Sequence, residues 1–418
     1  MPDGRTRGLE RFDVAVAGGG LLGRTLALAL GRLAPQGFRI ALIDAELAET
    51  GRSGMEDARS LALSAATKNL LSALDLWAEL APSVQAIEAI EITDSALDAA
   101  LRPHLLGFDE ELGESGTSAF MAEHGDLDRV LAEAVAVEPA VAVYPSDRVT
   151  DFNAGPFAAE VSLASGMTIA ASLLVAADGK RSHLRERAGI KCVGWSYPQV
   201  GIVTTVAHER PHHGKAVQHF LPAGPFAILP LTGNRSSIVW TEDAAEGAAI
   251  MAAGEARFLE ELTKRFGHRL GAISLAGLRQ SFSLDMQIAR SFVADRFALI
   301  GDAAHVVHPL AGQGLNIGMR DVAALTETVV ETARLGLDIG SAVPLERYER
   351  WRRFDSAFSA AVMDGLNRLF SNDSAPLRTL RDLGLGLVDR APALKRFLVS
   401  EAAGRSGTVP SLLTGQRF

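Results

Sequence analysis

The sequence predicts an α/β fold in which a parallel βαβ core is interrupted by a mostly antiparallel sheet and followed by helices. Three observations carry that reading: an apolar strand, glycine turn, helix and strand within residues 12–43; short alternating runs across 193–284; and apolar residues at three-four spacing from about residue 314 onward. At 418 residues, 48% hydrophobic and 22% charged, the chain is long enough for two sizeable cores and has ordinary globular composition.

The first unit opens with Phe-Asp-Val-Ala-Val-Ala at 12–17, a buried strand, after which Leu22, Leu26, Leu30 and Leu33 recur at helical spacing across 21–33. Residues 38–43 form the second strand, and a right-handed crossover makes the two parallel. Arg5, Arg7 and Arg11 before the apolar stretch Val14–Leu22 faintly resemble a signal peptide, but Asp13 and three consecutive glycines fit a strand and tight turn better. Strands are expected again at 172–178 and 296–302, each ending on an acidic residue before Gly or Ala, so distant segments return to one sheet. Between them Val200–Val206, Ala216–Phe220, Phe226–Leu231 and Ser237–Thr241 alternate as antiparallel strands do. Helices are expected at Asp321–Leu335, Leu345–Leu369 and Pro376–Ala403.

A net charge of -9 and a pI near 5.6, with no long basic run, exclude a nucleic-acid binder. The single cysteine, Cys192, excludes an intramolecular disulfide and a multi-cysteine metal site, which fits a reducing cytoplasmic setting. No apolar run reaches the roughly 18 residues that suggest a membrane-spanning helix.

Gly18-Gly19-Gly20-Leu21-Leu22-Gly23 matches G-x-G-x-x-G directly after a strand and at a helix start. Gly18 permits the turn, Gly20 lets a pyrophosphate approach the backbone, and Gly23 allows close helix–sheet packing. With 40 glycines in the chain the pattern alone is weak, so context decides. Asp44 ends the second strand about 20 residues on, where a carboxylate can bond ribose hydroxyls. The bland alternative is an ordinary βαβ turn with a solvent-facing Asp. The richest stretch is 297–318, where an apolar strand delivers Asp302 beside the turn Gly312-Gln313-Gly314. Asp302 can accept hydrogen bonds from sugar-alcohol hydroxyls, and the amides near Gly314 and Leu315 suit an electron-rich group over a helix start. That layout suits a flavin.

Gly18-x-Gly20-x-x-Gly23, Ala177-Asp178-Gly179-Lys180-Arg181-Ser182 and Gly301-Asp302 with Pro309 and Gly312-Gln313-Gly314 occur in one order. In this the chain resembles the group A flavoprotein aromatic monooxygenases of the para-hydroxybenzoate hydroxylase fold. It is most similar to the ubiquinone-biosynthesis hydroxylases, through Asp57–Ser64, Trp195–Gln199, Gln218–Pro225 and Asp364–Leu366, and the likeness runs from about residue 11 to about residue 405. The resemblance implies a Rossmann-like FAD-binding domain of the glutathione-reductase βαβ type in two parts, 1–192 and 285–340. It implies an inserted substrate domain at 193–284 and a C-terminal helical region at 341–418. It further implies that Asp178 serves FAD and NADPH, that Asp302 holds the flavin ribitol, and that Arg59 lies near the pyrophosphate, with Pro309, Gly312, Gly314, Leu315 and Asn316 around the ring. Glu123-His124-Gly125-Asp126-Leu127 departs from the subgroup's pattern, which leaves the FAD contact there unassigned.

The implied cycle is reduction of FAD by NADPH or NADH, reaction with dioxygen to a flavin hydroperoxide, and oxygen transfer to an electron-rich phenol. A polyprenyl phenol would bring peripheral contact with the inner membrane face, for which Ala391–Phe397 and the basic helices before it are candidates, and partner proteins of ubiquinone biosynthesis. Phe220, Phe226, Ile228 and Leu229 are candidates for an apolar substrate wall, against plain core packing. His305 and His308 invite an acid–base role, yet packing beside Pro309 explains them equally. His212-His213 lacks a third ligand at recognisable spacing, so no metal is expected. Two other readings stay open: a same-fold monooxygenase of a small soluble aromatic, and a flavin-binding accessory subunit without turnover.

Overall fold

The computed structural model describes residues 9–46, 57–94, 104–107, 119–308, 312–370 and 409–418. Its first sheet is parallel at the centre. Glu10–Ala17 lies between Thr168–Ala176, with Val14 opposite Leu173, and Ile40–Asp44, with Val14 opposite Ile40. Phe297–Leu299 joins in parallel on the far side of Thr168–Ala176, and Val141–Pro145 beyond Ile40–Asp44. The segments expected to return to one sheet therefore do so. Val14, Val16, Leu42 and Leu173 are fully buried, as near-continuous apolar runs require when a parallel sheet is covered on both faces.

The helix Leu21–Leu33 crosses to Gln313–Arg334 through a notch. A methyl group on Gly301 or Gly318 would collide with the side chain of Leu22, so small residues there let the first helix, the Asp302 loop and the long helix meet.

The second sheet is larger than residues 193–284. Cys192–His208, Lys215–Leu221, Gly224–Leu231, Arg235–Asp243 and Gln280–Ala289 build it, Ala89–Asp94 and His104–Gly107 extend one edge, and His305–Val306 adds the other. Its strands have two distinct faces. Phe226, Ile228, Ile238 and Trp240 pack with Phe258 and Leu262 of the helix Glu255–Phe266. Ala227, Leu229, Val239 and Thr241 alternate with them and face the Gly312 turn.

The expected helices at 321–335 and 345–369 are Gln313–Arg334 and Ala342–Phe370. Pro376–Ala403, including Ala391–Phe397, lies outside the described residues. Among the described residues no helix is long and apolar enough to cross a membrane.

Candidate cofactor and substrate site

Three motifs far apart in sequence converge at the carboxyl ends of the parallel strands, where ligands of such sheets bind. A methyl group on Gly18 would strike the carbonyl of Ala177, and one on Gly23 the carbonyl of Gly18, so the turn exists only because these positions lack side chains. Gly20 differs: an added Cβ there would meet nothing within 4 Å, which leaves the backbone open to a ligand. Gly20 also caps the helix Leu21–Leu33 without a side-chain hydrogen bond, and no acidic residue occupies the first turn. Such a helix start suits a pyrophosphate. Asp44 accepts from the amides of Gly19 and Glu46, tying the second strand to the turn.

Asp178 follows the strand Thr168–Ala176. Its Oδ2 accepts from the Leu184 amide at 3.4 Å, while its Oδ1 is buried with no partner among the described residues. Lys180 pairs with Asp285, which also accepts from Ser196 and Ser283, so the motif is tied to the second sheet.

Asp302 is exposed to the cleft. Surrounding protein mass raises its carboxyl above the usual aspartate range, against the pull of His305, Arg59 and Lys180. The helix Gln313–Arg334 starts beside it. Gly312 adopts a left-handed cap with φ of 62°, makes no side-chain cap bond, and no acidic residue lies in the first turn. The first amides, at Gln313, Gly314 and Leu315, are thus available to an electron-rich group. Asn316 plays another part: its Oδ1 accepts from Ser64 N at 2.9 Å and Thr67 Oγ1 at 2.7 Å, and its Nδ2 donates to Ala62 O at 2.7 Å. Its side chain locks the strand Ser60–Ser64 onto the helix start. Pro309 lies outside the described residues.

Arg59 forms a two-pronged pair with Asp57, at 2.9 Å and 2.5 Å, and its guanidinium stands 5.4 Å from the Phe282 ring. The pair lines an open pocket of about 600 Å³ with Glu123, His124 and Asp126, so the divergent segment does face this site. Arg59 is half exposed, and such surface pairs contribute little to stability. Arg59→Ala should therefore leave thermal unfolding unchanged and weaken FAD binding roughly tenfold. Equilibrium dialysis of the two proteins checks this.

A small cavity lies between Ser60, Ala62 and Gly312 on one side and the second sheet on the other. Leu229, Pro225, Ala227 and Val239 supply its apolar wall, and Gln218, Thr241 and His308 its polar atoms. Leu229 is thus on the cavity. Phe226 and Ile228 do not line it, because strand alternation turns them into the opposite core with Trp240. Phe220 is buried in the same strand, two residues from Gln218, but does not line the cavity.

His305 is part of a buried network rather than the cleft. Its Nε2 donates to Asp321 Oδ2 at 2.6 Å, the Gly301 amide donates to the same oxygen at 2.9 Å, and Arg352 Nε donates to Asp321 Oδ1 at 2.8 Å. Sequence reading missed Asp321 and Arg352, because two charges on different helices carry no spacing signal. His212 Nε2 bonds Leu231 O at 2.7 Å, and among the described residues no metal-holding cluster exists.

The orphaned Asp178 oxygen, the open backbone at Gly20, the two uncapped helix starts and the accessible Asp302 fit one dinucleotide-linked flavin. Comparison with known proteins agrees. The family model described as FAD binding domain matches residues 11–353. The chain is 42% identical over 392 residues to the ubiquinone hydroxylase UbiL of Rhodospirillum rubrum, covering 94% of this chain and 89% of that protein. It is 34% identical to the 3-demethoxyubiquinol 3-hydroxylase of Escherichia coli, covering 94% and 98%. Human ubiquinone biosynthesis monooxygenase COQ6 is 31% identical, covering 94% and 92%. Among solved structures, p-nitrophenol 4-monooxygenase PnpA of Pseudomonas putida shares the fold with a TM-score of 0.77 at 19% identity, covering 96% of this chain and 100% of that one. The chain belongs to the FAD-binding-domain family of flavin-dependent monooxygenases, in the group that holds the ubiquinone-biosynthesis hydroxylases.

Proposed function

We propose that this monooxygenase hydroxylates the ring of a polyprenyl phenol on the route to ubiquinone, consuming NADPH or NADH and dioxygen. The observation that carries the substrate class is the cavity between the Gly312 turn and the second sheet, whose lining among the described residues includes no Asp, Glu, Lys or Arg. An uncharged group suits such a wall; an aromatic acid would bury its charge without a partner. The names of the relatives from Rhodospirillum rubrum and Escherichia coli support the same reading.

Bound FAD supplies the redox and oxygen chemistry. The chain's part is to hold and shield it. Asp302 would accept from the ribitol hydroxyls, and the open backbone at Gly20 together with Arg59 would receive the pyrophosphate, with Gly18 and Gly23 shaping the turn. Asp44 would serve the adenosine ribose, and Asp178 has an unmet oxygen with which it would meet the cofactor. The amides of Gln313, Gly314 and Leu315 would stabilise negative charge on a flavin bound over the helix start. The apolar wall of Leu229, Ala227 and Val239 keeps water from the reacting face. A direct test compares NADPH oxidation with a short-tailed prenylphenol and with a hydroxybenzoic acid. The prenylphenol should accelerate it and the acid should not; the reverse would favour a small aromatic acid.

A membrane-resident substrate calls for peripheral contact, and the helix Ala342–Phe370 offers a surface for it. Phe354, Phe358 and Val362 recur at four-residue spacing and are 78%, 46% and 43% exposed. Arg350 and Arg353 on the same helix are exposed and suit an anionic surface. Replacing Phe354 and Phe358 together with Glu should reduce cosedimentation with anionic vesicles several-fold and leave turnover of a short-tailed phenol unchanged.

A further inference from the structure

We propose that His308 and Gln218 together hold the ring hydroxyl of a neutral phenol in the cavity beside the Gly312 turn, an assignment that rests on the hydroxylase reading above. His308 is 1% exposed, and neither ring nitrogen has a hydrogen-bond partner among the described residues. The Nε2 of Gln218 is likewise buried and unpartnered among them. Both side chains line the same cavity. Folded proteins leave few buried polar atoms unmet, so two residues with such atoms in one uncharged cavity point to a ligand group that satisfies both.

The surroundings keep the pair available. Tyr197 meets the His308 ring edge-on at 5.3 Å, but its hydroxyl donates to Asp364 Oδ1 at 2.6 Å. Burial, weakly opposed by Asp364, lowers the His308 imidazole to about 4. At neutral pH the ring therefore offers one N–H donor and one acceptor nitrogen. Gln218 is fixed by the sheet, opposite Ala227 on one side and Ile92 on the other. A phenol hydroxyl complements both: its O–H donates to the acceptor nitrogen of His308, and its oxygen accepts from Gln218 Nε2. An O-methyl ether keeps the acceptor but lacks the donor.

Binding, rather than turnover, tests this. Equilibrium dialysis would compare a short-tailed prenylphenol with its O-methyl ether on the FAD-loaded protein. The parent should prefer the phenol by about tenfold. His308→Phe should abolish that preference while keeping its FAD and melting no lower than the parent, because the imidazole satisfies nothing in the free protein. Gln218→Met should weaken both ligands several-fold, and decides the matter alone if His308→Phe does not fold. A preference that survives His308→Phe would overturn the assignment and leave the hydroxylase reading intact. So would a Gln218→Met protein that binds both ligands as tightly as the parent. A FAD-loaded parent that binds neither ligand would remove the phenol reading itself, and this assignment with it.

Discussion

Asp302→Ala should purify as a folded protein that has lost most of its FAD. Among the described residues no hydrogen bond engages the Asp302 carboxylate, and the side chain is exposed to the cleft, so its removal leaves nothing unpaired. What is lost is a charged acceptor for sugar-alcohol hydroxyls, each such bond contributing about 1.5–3 kcal/mol. Two of them would weaken binding by roughly two to four orders of magnitude. The flavin-to-protein absorbance ratio after gel filtration, with a thermal melt beside it, measures both halves of the expectation. A variant as yellow as the parent would remove Asp302 from the cofactor site.

Asp321→Ala should cost stability first and FAD second. Asp321 is fully buried and binds His305, Arg352 and the Gly301 amide, so it anchors the loop that presents Asp302. Removing one partner of a buried ionic cluster leaves charge uncompensated, at a cost of about 3–5 kcal/mol. For a chain of 418 residues that corresponds to a fall of about 3–6 °C in the melting transition. The pH dependence has a definite sign. Burial opposes ionisation of Asp321, but His305 and Arg352 outweigh it and hold the carboxyl below the usual aspartate range. A carboxyl whose folded value lies below its unfolded value of about 3.9 contributes stability above that pH and loses it as pH falls through the folded value. Acid unfolding below about pH 4 should therefore be steeper in the parent than in Asp321→Ala. Equal steepness would show that the cluster is not the group that titrates.

Where the chain announces itself in sequence, the reason is local. The helix Leu21–Leu33 spans the residues that its apolar spacing marks, and its middle from Gly23 to Leu30 is buried throughout. Gly18, Gly20 and Gly23 are legible because backbone shape demands them at fixed intervals. The second sheet is harder. Its recruitment of Ala89–Asp94, His104–Gly107 and His305–Val306 rests on pairings between distant segments, which periodicity cannot report. The same limit governs the site. Leu229 and Phe226 look equally suited to an apolar wall, and only the facing of the strand separates them. Asn316 falls within the right motif, yet its side chain serves the Ser60–Ser64 strand, since its partners lie some 250 residues earlier. His308 was visible as a residue but not as an orphaned one, because an unmet nitrogen is a property of the folded surroundings.

The central claim is that this chain couples nicotinamide oxidation to insertion of one oxygen atom into a neutral prenylated phenol. The most direct measurement supplies the FAD-loaded protein with NADPH, a short-tailed prenylphenol and isotopically labelled dioxygen, and follows both NADPH and product by mass spectrometry. A ring-hydroxylated product carrying one labelled oxygen should form in step with NADPH consumed. NADPH oxidation without labelled product, or product whose oxygen comes from water, would contradict it.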